Sequence, residues 1–557
     1  MPPDESPLPA TRRKDILIAS GLFAVVLVTG YLRMAEGVCG VYHDDAIYVS
    51  TAKSLADGDG YRMMGMPGTP NQTKYPILYP AILAAFWKCL PEFPGNLVAM
   101  QWFSVASGAA TLALGYLYVL RFGYFSRGVA LTAALLSATA VSFLYLCTTT
   151  MAEMPFALLT IVALWGLDHF LLKKGRSRIA AFGLGILSAL PFLCRIIGLP
   201  LIPVAGWLLF KSRQRPLWCL VGASTIVLPW VLWSMAGWGV WDENQVDGYY
   251  TDYLGSWSST GLGMLFHVFY VNSLAAAYGT TVFTVEGLSN ILNQATDSLW
   301  LQQAMILLGT IPWLLIIFQL RTRRALPYFL AGYLGIMLVW SWIPHRFLIP
   351  LMPLIAAYLV HAIVVASRFV GLHYTMRPVR WVCWAVTVAL LFCNVELLMR
   401  HSTLTEKFGY PYKKLTNEQA SWSSYQQMFA WLRKNTSPDD VIASCSDSMV
   451  SLYCDRRSIR PFVYHPERLF YGDGTEELVT PSELAAILKS HHPRYLAKFP
   501  MTSFSEEEPF QDALNELRQD HANWIRVVYR GEDPRFIVYE IDPRFEPAAH
   551  TKTLSSL

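Results

Sequence analysis

Six ionisable side chains stand at or near the ends of long apolar runs, where a charge is costly and therefore marks a candidate site. They are Asp44 and Asp45 in HDDAIY, Lys74 in TKYP, Glu153 in TTTMAEMP, Arg195 in PFLCRIIG and Arg346 in IPHRFLIP. Successive residues of an extended segment point opposite ways, so one aspartate is expected to face a site while the other caps the helix beginning near Ala46. The plainer alternative is that both cap it. Lys74 precedes Tyr75 and Pro76, where the chain is held extended, and its ammonium suits a phosphate as a point charge; interfacial snorkelling is the competing account. Glu153 satisfies a helix dipole at the head of an apolar run with Pro155 in its first turn. Arg195 and Arg346 begin their runs with a cation, which opposes the dipole and favours an anion ligand instead. His43 and His345 are candidate ligands or bases, but two histidines do not make a metal site. A carboxylate and up to three cations are what a transfer from a lipid-linked phosphate requires. The carboxylate takes a proton from an acceptor hydroxyl, and the cations stabilise charge on the departing phosphate.

The elements that carry these residues must cross a membrane. Of the 557 residues 54% are hydrophobic and only 15% charged, with 19 Trp, 28 Tyr and 29 Phe, too apolar for an ordinary soluble protein. Apolar runs of roughly 17 to 25 residues, enough for ~30 Å of hydrocarbon, recur near 15–33, 97–120, 128–147, 154–172, 178–194, 196–210, 217–236, 301–320, 326–342, 347–367 and 379–399. The first has no small-residue cleavage site after it and reads as an uncleaved span. The expected fold is mainly α and polytopic, with about eleven transmembrane helices. Lysine and arginine favour cytoplasmic loops. With the N-terminus inside, the turns at 121–127, 173–178, 211–215, 321–324 and 368–380 all fall on that face. The six candidate residues fall on the other, extracytoplasmic one. That places the chain in a plasma (inner) membrane as a multi-pass protein among membrane lipids. The net charge of +4 reflects the basic loops and gives no reason to expect a nucleic-acid partner.

Three domains follow: a transmembrane domain over 1–400, an extracytoplasmic α/β domain over 405–545 and a tail over 546–557. The first outward loop, 35–96, holds AIYVSTAKSLADG, expected as a short interfacial helix ending at Gly58, and an apolar stretch after Lys74 too short to span. The second, 238–300, carries Trp238, Trp241 and Trp257 with Tyr249, Tyr250 and Tyr253, a headgroup-zone mixture. Its inner part, GLGMLFHVFYVNSLAAAYG, is expected as a surface helix, because another span would turn RTRR outward. After 405 the pattern alternates: helices over 425–435, 481–490 with a serine at its cap and in PFQDALNELRQD, strands in DVIASC and RYLAKF, and a hairpin of WIRVVYR with FIVYEID. Cys445 and Cys454 are a candidate disulfide. No internal repeat, metal-ligand spacing or phosphate-cradling glycine loop is present, so no cofactor is required and a divalent metal has no support from the sequence.

The order of DDAIY, KYPILYPAILA, TTTMAEMPFALLTIVALW, CRIIGLPLIPVAGWLLF and HRFLIPLMPLIAAYLV resembles the polytopic glycosyltransferases of the GT-C fold. The resemblance is to the bacterial branch related to protein O-mannosyltransferases and the lipid A aminoarabinose transferase, and it covers roughly 35–370. It implies a hexosyl- or pentosyltransferase using a polyprenyl-phosphate-linked monosaccharide and a lipid, glycan or protein acceptor, by metal-independent inverting transfer. On that resemblance Asp44 is the base or acceptor-orienting group, with Asp45 and Glu153 as the other catalytic candidates. Lys74, Arg195 and Arg346 are the donor-phosphate contacts, and Tyr48, Tyr75 and His345 are candidate lining residues. The competing readings are a lipid-linked sugar flippase or secondary transporter, whose site would lie near the bilayer midplane within repeats, and a membrane scaffold that presents the C-terminal domain.

Overall fold

The computed structural model describes residues 12–35, 37–173, 177–236, 262–296, 298–370, 376–410, 420–463, 470–472, 479–500 and 507–544. The tail 546–557 and the aromatic part of the second loop, Trp238 to Trp257, lie outside them. All eleven apolar runs are helical. They are α1 (Arg13–Arg33), α4 (Leu97–Arg121), α5 (Arg127–Thr139) with α6 (Val141–Cys147), α7 (Glu153–Leu172), α8 (Arg178–Cys194), α9 (Leu201–Lys211), α10 (Pro216–Met235), α13 (Leu299–Gln319), α14 (Ala325–Val339), the run from α15 (His345–Leu348) into α16 (Met352–Val370), and α17 (Met376–Phe408). Among the described residues seven helices are long and apolar enough to cross a membrane alone, or up to nine if each of two bent pairs is one span. Three of the expected spans are shorter: α8, α14 and the run Ile196–Lys211 that contains α9. The stretch 178–210 is divided at Arg195, whose extended backbone (φ −149°, ψ 133°) separates α8 from a 3-10 turn, Ile196–Gly198.

Among the described residues the turns at 121–127, 211–215 and 321–324 meet the start of α1 and the end of α7 at one end of the bundle. Arg127 pairs with Asp15 at 2.6 Å, Arg324 donates to the Gly123 carbonyl at 3.1 Å, Asp168 accepts from the Ala325 N–H at 2.9 Å, and Gln214 donates to the Leu171 carbonyl at 3.1 Å.

Two expectations about the loops are corrected. The stretch expected as a surface helix is α11 (Leu262–Thr284), bent by 108° against α12 (Glu286–Ala295) and built into the bundle. Thr281 donates to the Met305 carbonyl at 2.7 Å, Trp313 donates to Thr280 at 3.0 Å, and Asn272 donates to the carbonyls of Met337 and Trp340. Those contacts bury one face of the helix in the bundle, while Phe266, Phe269 and Tyr270 on its other side stay exposed. The helix expected to be interfacial is α2 (Asp44–Asp57), which ends at Gly58 in the left-handed region, φ 91°. Ten of its fourteen residues are buried, because the C-terminal domain covers the side that an interfacial helix would give to water. Below it α3 (Leu78–Cys89) is too short to span.

The C-terminal domain is a five-stranded mixed sheet in the order β2-β1-β3-β5-β4. β1 (Val441–Ala443) runs parallel to both β2 (Arg457–Ile459) and β3 (Tyr495–Lys498), while β5 (Ile537–Ile541) is antiparallel to β3 and β4 (Ile525–Arg530). Helices α18 (Trp422–Asn435), α19 (Asp447–Cys454), α20 (Pro481–His491) and α21 (Glu507–Asp520) accompany it. The cap of α20 is Thr480, accepting from the Glu483 N–H, and not a serine. Cys445 and Cys454 are both buried and are not joined by a disulfide; the thiol of Cys454 instead faces the Phe429 carbonyl at 3.8 Å. The apolar cores of the two lobes meet at α2, where Ile47, Met63 and Met66 of the first loop pack with Ile459 and Phe462 of the C-terminal domain.

Candidate active site

Four chain segments meet at the end of the bundle beneath the C-terminal domain, and each presents its charge for a local reason. Asp44 opens α2, where the exposed N–H groups and the dipole of the first turn favour a carboxylate. Glu153 opens α7, whose Pro155 lies in the first turn and so costs no helical hydrogen bond. Arg195 sits in the break after α8, where Gly198 presses against the backbone of Pro191 so closely that a Cβ would come within 2.5 Å of it. Arg346 lies in the single turn α15, between Pro344 and the 3-10 turn Ile349–Leu351.

These four side chains form one alternating network. Asp44 accepts from Arg346 Nη2 at 2.6 Å and from the Tyr75 hydroxyl at 2.8 Å. Arg346 Nε lies 3.1 Å from Glu153 Oε1, and Glu153 is also ion-paired with Arg195. Phe347 lies against both guanidinium groups, 5.3 Å from that of Arg195 and 6.0 Å from that of Arg346. Two carboxylates and two guanidiniums balance, so the buried charge is compensated. Glu153 has no solvent exposure and the Arg195 side chain 9%, whereas the Arg346 side chain is 30% exposed. Arg346 is therefore the member of the network that a ligand from outside can reach.

The remaining predicted residues divide. Tyr48 lies one turn along α2 from Asp44, edge-on to Tyr75 and Tyr79 with ring centroids 5.3 and 5.1 Å away. Lys74 is half-buried, with its ammonium 5.8 Å from the Tyr75 ring, next to the network. Asp45 is turned to the backbone: it accepts from the N–H groups of Gly40 at 2.8 Å, Tyr42 at 3.2 Å and Ala46 at 3.1 Å. It thus holds the turn before α2 and also satisfies one first-turn N–H of that helix. His345 adjoins Arg346 in sequence but packs on α11, between the rings of Tyr278 and Phe283. Its ring thus meets α11, while the Arg346 side chain meets Asp44 and Glu153. The arginines also differ from their expected state. Both are engaged by carboxylates, and an incoming phosphate must compete with those pairs.

The two aspartates have opposite electrostatics. Burial works to raise both. For Asp44 the Arg346 guanidinium outweighs it, with help from the Tyr75 hydroxyl, and holds the carboxyl down to about 2. For Asp45 burial and the neighbouring Asp44 charge outweigh three N–H donors and push it up to about 6. Among the described residues no group of three or more His, Cys, Asp or Glu could hold a metal ion.

Sequence reasoning had no access to a second set of residues around Asp44. His43 is in contact with Arg460 and Asp447 of the C-terminal domain, 417 residues away in the first case. Each of these residues reads in the sequence as an ordinary polar group of a soluble α/β domain. Phe347 was also missed, although its place directly after Arg346 was a usable signal.

No protein-family model matches the chain, and no curated protein matches it by sequence. Solved structures do. The oligosaccharyltransferase AglB from Archaeoglobus fulgidus, in complex with an inhibitory peptide and a dolichol-phosphate, is similar at a TM-score of 0.51 with 12% identity, over 97% of this chain and 76% of that one. The apo form of the Archaeoglobus fulgidus oligosaccharyltransferase gives a TM-score of 0.50 with 11% identity over 86% and 69%. The fold is that of the GT-C glycosyltransferases. ArnT from Cupriavidus metallidurans bound to undecaprenyl phosphate also matches, with 13% identity over 94% of this chain and 97% of that one and a TM-score of 0.47. At such identities the likeness is one of fold, and the GT-C architecture accounts for the bundle; the chemistry rests on the side chains.

Proposed function

We propose that this GT-C chain is a membrane glycosyltransferase that moves a monosaccharide from a polyprenyl-phosphate donor to an acceptor hydroxyl at the extracytoplasmic surface. The observation that carries this reading is the network Tyr75, Asp44, Arg346, Glu153 and Arg195, in which a carboxylate is paired with a guanidinium that a ligand can reach. The donor phosphate would draw Arg346 from Asp44, since a guanidinium matches the geometry of both anions, and Lys74 would add a point charge. Released from Arg346, Asp44 would rise from about 2 toward the range in which a carboxylate accepts a proton.

The acceptor oxygen then attacks the anomeric carbon from the face opposite the phosphate. Its proton passes to Asp44, the bond between the anomeric carbon and the phosphate oxygen breaks, and the bonding pair leaves with the polyprenyl phosphate. Arg346 and Lys74 stabilise that leaving charge. Glu153 and Arg195 keep Arg346 aimed before and after, and Tyr75 fixes the orientation of the Asp44 carboxylate through its hydroxyl.

The test is a proteoliposome assay with labelled polyprenyl-phosphate sugars and an envelope extract as acceptor source. Label covalently on an acceptor supports the enzyme. Label that crosses between leaflets still attached to its lipid supports a flippase and overturns the proposal.

A further inference from the structure

His43, directly before Asp44, has a backbone conformation that L-residues rarely adopt, φ 66° and ψ −55°. Such a conformation persists only where the surroundings over-determine it, and here most of the surroundings belong to the C-terminal domain. Arg460, 1% exposed and placed just after β2, reaches His43 Nε2 at 2.5 Å. A guanidinium can only donate, so Nε2 accepts and the neutral ring carries its proton on Nδ1. That nitrogen lies 3.7 Å from Asp447 Oδ1 at the start of α19. Arg460 and Asp447 come from the carboxyl ends of the parallel strands β2 and β1, the edge at which open α/β sheets place their binding groups.

The same helix fixes the rest of the turn. The Tyr453 hydroxyl on α19 donates to the Gly37 carbonyl at 2.7 Å and accepts from the Cys39 N–H at 2.9 Å. Met449 lies over Gly40, φ +96°, so closely that a Cβ there would come within 2.8 Å of the methionine side chain. From the opposite side Asp45 takes the N–H groups of Gly40 and Tyr42. The segment 37–45 is thus held between α19 and its own aspartate, and the next side chain to leave it is Asp44.

We infer that the C-terminal domain is a positioning clamp for Asp44, in which Arg460 and Asp447 orient His43 and thereby set where the Asp44 carboxylate stands relative to Arg346. None of the three is a catalytic residue. They act through the backbone of the turn. The inference rests on the proposed transferase reading for its kinetic consequence, but its structural consequence is independent of it. Burial and the adjacent Arg460 charge keep His43 from protonating, which is consistent with a fixed tautomer.

The test uses the full chain in nanodiscs with Arg460→Met, and with His43→Asn as the conservative variant, because asparagine accepts a hydrogen bond and tolerates positive φ. Hydrogen exchange is read over the amides of residues 39–48, binding is read with undecaprenyl phosphate, and transfer is read with the labelled sugar donor that the wild-type protein consumes. Arg460→Met is expected to speed exchange in 39–48 while α4 and α7 are unchanged. It should lower kcat by about 100-fold, as a misplacement near 1 Å does, and leave undecaprenyl phosphate affinity unchanged or tighter, since a displaced Asp44 competes less for Arg346. His43→Asn should retain most of the kcat. Where Arg460→Met does not fold, Asp447→Asn takes its place with the same expectations. Unchanged exchange over 39–48, or a loss confined to KM, overturns the clamp. Faster exchange in a protein whose wild type transfers no sugar keeps the clamp and overturns the transferase.

Discussion

Replacing Asp44 by asparagine separates the two things the network does. In the native protein the Asp44 carboxyl is held at about 2 against an ordinary 3.8, although burial pushes the other way. The difference corresponds to roughly 2.4 kcal/mol of preference for the ionised form, or about 60-fold. Its main source is Arg346, whose Nη2 lies 2.6 Å away. An incoming phosphate must displace that contact. Asp44→Asn keeps the shape and a partner for the Tyr75 hydroxyl but removes the charge, so it leaves Arg346 bound only to Glu153 and freer to meet an anion. Two opposite effects are expected from one substitution. Undecaprenyl phosphate should bind more tightly, by on the order of 60-fold, because Arg346 no longer has to be drawn away from an anion. Sugar transfer should fall by at least 100-fold, the usual size of a lost general base. Binding is measured by tryptophan fluorescence in nanodiscs and transfer by the labelled-donor assay on the same preparation. Weaker binding in the variant would refute the idea that Asp44 and the phosphate compete for Arg346. Near-normal transfer would refute the role of Asp44 as proton acceptor.

Three other substitutions address the rest of the network. Arg346→Lys cannot hold Asp44 and Glu153 at once with a single ammonium, and should raise the apparent KM for the donor about tenfold, the equivalent of one charge-assisted hydrogen bond; a change confined to kcat would contradict this. Glu153→Gln leaves Arg195 buried without its carboxylate and should cost about 3 kcal/mol of stability, read as a lower Tm in detergent; an unchanged Tm would show that Arg195 finds other solvation. Asp45, raised to about 6 in the folded protein from 3.8, binds its proton more tightly folded than unfolded. Its contribution to stability is complete below about pH 3.8 and is lost as pH rises through 6. Asp44 works in the opposite sense and in a lower window, losing its contribution as pH falls from 3.8 toward 2. Asp45→Asn should therefore flatten the fall of Tm between about pH 4 and 6 and leave the behaviour below pH 3.8 intact, which a pH series of thermal melts would check.

Much of the architecture was legible in the chain, for reasons that are local. Hydrophobic length decides where a helix is needed, since backbone groups in hydrocarbon must be satisfied within their own segment, and all eleven apolar runs are helical. After residue 420 four strands and three helices were legible from their periodicity, whereas α19 and the three-residue strand β2 were not, and the GT-C resemblance rested on the order of short motifs. Loop 238–300 was misread where a single-sequence rule met a tertiary fact: α11 is apolar because it packs on α13 and α14, and its 108° bend into α12 leaves no trace in composition. The helix α2 was misread for the same reason, its outer side being covered by a domain that begins more than 350 residues later.

The candidate site divides along the same line. The sequence by itself determined which residues carry charge near the ends of apolar helices, because such charges are expensive wherever they occur, and this was enough to single out Asp44, Glu153, Arg195 and Arg346. Only the tertiary structure decided that these four share one network, since Asp44 and Arg346 are 302 residues apart and no periodicity reports on such a distance. It also decided that Asp45 serves the backbone, that His345 faces α11, and that His43 belongs to the C-terminal domain as much as to the bundle. A hydrogen bond depends on ångström-scale distance and direction, and those are properties of the assembled fold, whereas burial preference is a property of each residue and can be read one position at a time.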